Sequence, residues 1–198
     1  MYFGHYEHDL NPDNVHEPIK WLVLDTDGSK SLLLSYMILD VHEYNARDNA
    51  GPGKTWENCT FRAWLNSDFL NTAFTPEEQT KIVTTTIDNS RITKIFEEGD
   101  VAIGNPTNDK VFILDLEETQ KYIDEDVKNG IGTCGTLYSR SKNPYEEWWA
   151  RSPLLERNVS FLITRPQVQH QSYIDQRFST HEAGVKPAIW VDINAFSN

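Results

Sequence analysis

The spacing of apolar positions changes several times along the chain, and each change marks an element. In "IKWLVLD" (19–25) apolar side chains fall on both alternating faces, the pattern of a strand covered on two sides. "SLLLSYMILD" (31–40) reads as its partner, and "TDGSK" between them carries Asp27-Gly28, a hairpin signal. Phe61, Trp64, Leu65 and Phe69 then recur at i, i+3, i+4 and i+8. That spacing predicts a helix over roughly 60–70 with one apolar stripe. Thr75-Pro76-Glu77-Glu78 opens a second helix, in which Thr75 caps, Pro76 suits the first helical position and Glu78 reaches back. The β-branched run "IVTTTI" (82–87) ends that helix in extended structure.

Between these stretches, "NARDNAGPGKT" (45–55) and residues 88–109 are loop-like by composition. "KVFIL" (110–114) is a short strand, after which Asp115 caps a short helix with Glu118 three residues on. Beyond Asp124 the chain is polar and glycine-rich as far as Gly135. Strands are expected at 147–151, 159–164 and "KPAIWVDI" (186–193). Strands, then two or three short helices, then strands give an α+β fold with a mainly antiparallel sheet. Residues 1–198 read as a single domain, with no internal repeat and no linker.

The stretch "EEWWARSP" (146–153) sets a sharper condition. Neighbours on a strand point to opposite faces, so Trp148 and Trp149 are both core only if the strand is covered on both sides. Arg151 shares a face with Trp149 and is expected along its ring. The other reading leaves one indole open to a ligand.

The net charge of -12 argues against a nucleic-acid partner, because no basic stripe is present to displace counterions from phosphates. It fits a role in solubility, or else a cationic partner or bound Ca2+. No apolar run approaches the ~20 residues that span a bilayer, so no membrane partner is expected. "MYFGHYEHDLNPDN" does not read as a signal peptide. The chain as written is expected in the cytoplasm, whereas one whose leader had been removed would be extracellular. Cys59 and Cys134 are too few for a disulfide scaffold or a thiolate zinc site; they read as two reduced thiols, with one disulfide between them as the alternative.

Several stretches tempt a chemical reading. "GPGKT" (51–55) has Asp48 where a phosphate loop needs glycine, and a carboxylate there repels phosphate. His5 and His8 in "HYEH" have no evident third ligand, so no metal is expected. "DTDG" (25–28) lacks the further acids of a calcium loop. No G-x-S-x-G is present, and Cys134 in "GTCGT" is a thiol in an open setting. No cofactor is expected.

"EPIKWLVLD", "YMILDVHEYN", "TWENCTFRAWLNSDFLNTAFTPEEQ", "DKVFILDLEE", "WWARSP" and "GVKPAIWVDI" together resemble a bacterial family, domain-of-unknown-function family 6273, from about residue 3 to residue 193. That family implies no activity to carry over. Its closing pattern, a W-x-R-S strand, a variable stretch and then G-V-R-P-A, is similar to C-type-lectin-like domains, so the resemblance implies a C-type-lectin-like fold. The chain departs from the family at Leu154, where glycine is usual, and at Lys186, where arginine is usual. The Glu-Pro-Asn or Gln-Pro-Asp signature of calcium-dependent sugar binding is absent, as is the cysteine pair of formylglycine-generating enzymes.

The variable stretch, 154–184, holds the best candidates for function. "TRPQVQHQSYIDQRFSTHE" offers Arg165, Gln167, Gln169, His170, Tyr173, Asp175, Arg177 and His181. Alternating polar residues with an aromatic suit adaptable recognition, and loops on a rigid scaffold often carry function. The expectation is a non-catalytic binding module for a protein or glycan. The alternatives are an enzyme, related to the formylglycine-generating type or using Cys134 or His170, and a structural or assembly domain. The sequence leaves the oligomeric state open.

Overall fold

The computed structural model describes residues 1–11, 13–14, 16–51, 53–90, 104–128, 134–144, 146–154, 159–164 and 174–196. The chain opens with β1 (Tyr2–Tyr6), β2 (Glu17–Asp27), β3 (Lys30–Ser35) and β4 (Asp40–Glu43). Helix α1 (Thr60–Trp64) continues through a π-helical turn, Leu65–Phe69, into α2 (Leu70–Ala73). Next come α3 (Pro76–Lys81), β5 (Ile82–Val83), β6 (Thr85–Ile87), β7 (Thr107–Asp109) and β8 (Val111–Phe112). Helices α4 (Leu116–Lys128) and α5 (Leu137–Lys142) precede β9 (Glu147–Leu154) and β10 (Val159–Thr164). The last strands are β11 (Ile174–Phe178), β12 (Glu182–Val185) and β13 (Ala188–Asp192).

These strands form an α+β molecule with two main sheets. One has the order β1-β2-β3-β13-β5, with β8 also on β13; the other runs β11-β10-β9-β12-β4. Strands β6 and β7 pair apart. Among the named pairs, β12 with β9 is parallel and the rest are antiparallel. The β2–β3 hairpin turns at Gly28, whose φ of 59° costs a glycine little. The helical stripe packs as its spacing requires: Phe61, Leu65 and Phe69 are buried and Trp64 is half-buried. Both capping boxes form. Thr75 accepts from the Glu78 N–H while Glu78 accepts from the Thr75 N–H, and Asp115 and Glu118 do the same.

The structure departs from the sequence reading at several places, among them the strand expected over 31–40, which stops at Ser35 and resumes as β4 at Asp40. The N-terminus, to which the sequence reading assigned no element, is a strand: Tyr2–Tyr6 forms edge strand β1, with Phe3 against Phe74 and the Tyr6 hydroxyl donating to Asp40 at 2.5 Å. Helix α4 runs past Asp124 to Lys128. Helix α5 was hidden because "LYSRSK" has no apolar stripe; it starts instead from the Thr136 cap, which accepts from the Ser139 N–H. The strand expected over 186–193 is β13, which starts at Ala188; β12, which the sequence reading left within the variable stretch, precedes it in the other sheet, and the chain breaks between them at Lys186-Pro187.

That break is where the chain crosses between sheets. Residues 36–39 cross alongside it, held by Ser35 N–H to Pro187 O and Leu39 N–H to Val185 O, both 2.9 Å. The buried Lys186 ammonium donates to the carbonyls of Ser35 (2.7 Å) and Tyr36 (3.0 Å). Burial lowers its pKa to about 7. Gly184 leaves no alternative in its position. A Cβ there would meet the Glu147 carbonyl and lie 2.7 Å from Ile38 Cγ2.

Candidate functional site

The most distinctive sequence stretches turn out to be internal fastenings. Asp109, fully buried, accepts from Arg62 Nε (2.7 Å), Trp56 Nε1 (2.9 Å) and the Thr107 hydroxyl (2.8 Å). Asn66, inside the π-helical turn, accepts from the Lys110 and Val111 N–H groups and donates to the Val111 carbonyl. "WENCTFRAWLN" therefore docks the α1 region onto the β7–β8 corner. Cys59 caps α1 by accepting from the Arg62 N–H at 3.3 Å, and burial pushes its thiol up to about 12. Both cysteines are free, and Cys134 is exposed.

Trp148 and Trp149 are both buried, which settles the condition set by the sequence in favour of a strand covered on both faces. Trp149 donates from Nε1 to the His42 carbonyl (2.8 Å) and meets Tyr44 edge-on at 5.6 Å. Trp148 lies under Lys186, with the ammonium 5.5 Å from its ring centre. Arg151 departs from its expected place on the Trp149 ring. It reaches to α4, donating to Asp115 (3.2 Å), Glu118 (3.1 Å) and the Ile113 carbonyl (2.7 Å). Two carboxylates and a carbonyl satisfy a buried guanidinium better than a ring face does.

An open cleft of about 430 Å³ lies where the end of β4, the end of α5 and the start of β12 converge. Apart from Pro144, every side chain lining it is polar or charged. His181, on the turn before β12, is bound through Nε2 to Glu147 Oε1 at 3.0 Å, and its ring meets the Trp149 edge at 6.4 Å. Lys142, from α5, donates to Asp40 Oδ1 at 2.6 Å and lies over the Tyr138 ring. Burial works against the Lys142 charge, yet Asp40 and Tyr138 outweigh it and raise its pKa. Asn143 donates from Nδ2 to the Glu182 carbonyl at 2.7 Å. Glu147 and Asp40 are both buried, so two carboxylates beneath the surface hold the polar wall of the cleft in place. Glu43, Arg47, Thr180 and the Glu182 side chain complete the lining.

Of the residues singled out in the sequence, His181 lines this cleft. Asp175 and Arg177 lie on β11, whose backbone pairs with β10. Arg165, Gln167, Gln169, His170 and Tyr173 lie outside the described residues. Sequence reasoning missed Glu43, Arg47, Lys142, Asn143, Thr180 and Glu182. Thr180 and Glu182 adjoin His181 in the variable stretch and were within reach; Glu43, Arg47, Lys142 and Asn143 carry no pattern that sets them apart from ordinary polar surface.

Near the N-terminus, ligand atoms of Glu7, Asp9 and Glu17 fall within 4.8 Å of one another. These carboxylates already accept backbone N–H groups from His8, Asp9, Leu10 and Asn11. His5 and His8 are not part of that group. Among the described residues no helix is long and apolar enough to cross a membrane.

No curated protein and no solved structure matches the chain. A family model does match, over residues 28–193, which leaves β1 and β2 outside the match and takes in the Asp109 corner, the tryptophan pair and the whole cleft. With that match over most of its length, the chain belongs to the family described as Domain of unknown function (DUF6273).

Proposed function

We propose that the protein is a non-catalytic binding module of C-type-lectin-like architecture, and that it recognises a polar ligand at the cleft around His181. The observation that carries this reading is the built character of the wall. Glu147 and Asp40 are buried carboxylates whose partners, His181 and Lys142, line the cleft. Burying a carboxylate is costly, and a surface with no task would not require it. Prepositioned polar groups on helix and strand ends suit recognition, because little side-chain freedom is lost on binding. The lectin-like part of the proposal is supported by the order of Trp149-Ala150-Arg151-Ser152 in β9 and Gly184 to Ala188 leading from β12 into β13.

The test is a pair of arrays, one of peptides and one of glycans, probed with the wild type and with an Arg47→Ala/His181→Ala variant of matched melting temperature. Wild-type signal on one array, lost in the variant, is the expected result. Signal that survives in the variant moves recognition elsewhere, and an absence of wild-type signal on both arrays sinks the reading.

A further inference from the structure

Within the cleft, Glu43 on β4 and Glu182 on β12 are register partners. Directly opposed residues of an antiparallel pair share a face with Cβ atoms about 5 Å apart, and like charges so placed destabilise the pair. Both side chains line the cleft. Among the described residues neither carboxylate is in an ion pair, and the same holds for Arg47. The other two titratable groups of the lining, Lys142 and His181, are already matched to Asp40 and Glu147. What remains is two opposed carboxylates and one guanidinium.

Resting on the recognition reading above, we infer that the cleft takes a zwitterion, an α-amino acid or short peptide whose ammonium sits at Glu43 and Glu182 and whose carboxylate meets Arg47. An ammonium between the glutamates removes their repulsion, and a guanidinium pairs with a carboxylate through two parallel hydrogen bonds. The same charges reject other ligands: a dicarboxylate is repelled by the glutamate pair and a diamine by Arg47. Small-molecule sites span roughly 300–1,000 Å³, so a cleft of about 430 Å³ is of a size for a dipeptide rather than a long chain.

Backbone amide shifts of residues 43–47 and 180–182, followed by NMR in the full chain, test this. The probes are alanine, alanyl-alanine, its N-acetyl and C-amide forms, putrescine, glutarate and maltose. Alanine or alanyl-alanine should move these amides, and the comparison of the two tells a free amino acid from a peptide. Blocking either end, or substituting Glu182→Gln or Arg47→Gln, should weaken binding about tenfold, which is ~1.4 kcal/mol. Both side chains line an open cleft, so the variants should melt like the wild type. Equal binding by blocked dipeptides, by putrescine or by glutarate overturns the inference, as does unchanged affinity in either variant. So does the lack of any shift from alanine and alanyl-alanine at ~10 mM. Maltose moving the same amides while the zwitterions do not would end this inference but leave recognition at the cleft standing. Failure of the array experiment would strike recognition itself.

Discussion

The Asp109 corner and the His181 cleft are both assembled from charged side chains, and they treat charge in opposite ways. At the corner one carboxylate takes three donors, and Trp56, Arg62 and Thr107 turn the donating atoms inward to it. At the cleft the buried carboxylates take one side of His181 and of Lys142, and the outer layer of Glu43, Arg47 and Glu182 is left facing solvent. The difference separates two uses of the same chemistry. A closed network exhausts its hydrogen-bonding capacity on the protein and contributes to holding elements together. An open one keeps capacity in reserve, and that reserve is what a ligand can use. The most conspicuous sequence stretches belong to the closed kind.

Breaking the corner should cost most. Asp109→Ala strands the Trp56 N–H and an Arg62 guanidinium, and a loss of about 3–5 kcal/mol in urea unfolding is expected. A loss below about 1 kcal/mol would show that the corner does not fasten the fold. Arg151→Met is expected to follow at about 2–3 kcal/mol, because Asp115 is left buried while its N-cap bond to Glu118 survives.

The Lys186 crossing gives a pH-dependent effect. Its folded pKa of about 7 lies below the ordinary 10.5. Between those values the unfolded chain holds the proton and the folded chain releases it, so stability rises with pH across that window. Denaturation of wild type against Lys186→Met at pH 6, 8 and 10, sampled at about these values, should show the rise in the wild type alone. A parallel pair of profiles would mean that the two carbonyl bonds keep the lysine charged throughout.

The smallest change sharpens the comparison from the other side. Glu182→Gln should leave stability within about 0.5 kcal/mol and shift it upward, because it relieves an opposed like-charge pair. A melting temperature lowered by several degrees would place Glu182 in the scaffold instead of the cleft.

Much of the fold was legible because local rules act on a few consecutive residues. Phe61, Leu65 and Phe69 announce their helix by period, and Thr75 and Asp115 announce theirs by caps. Strand β1 was not legible, since "YFGHY" shows no sustained alternation and owes its state to pairing with β2. Strand β12 was not legible either, because "EAGV" is too short to show a pattern and owes its state to pairing with β4 and β9. Arg151 shows the same limit within the site region: its face followed from strand geometry, but its partners came from α4. His181 was singled out by the polar composition of its stretch. Glu43, Arg47 and Lys142 carry no local pattern that sets them apart from ordinary surface charge.

By itself the sequence determined the class of the molecule, the main helices with their caps and the hairpin at Gly28, because periodicity and capping are written over short spans. Only the tertiary structure decided which sheet each terminal strand joins and which distant charges meet. Glu43 opposes Glu182 through the pairing of β4 with β12, and that register depends on a crossing between sheets that no local run of residues encodes.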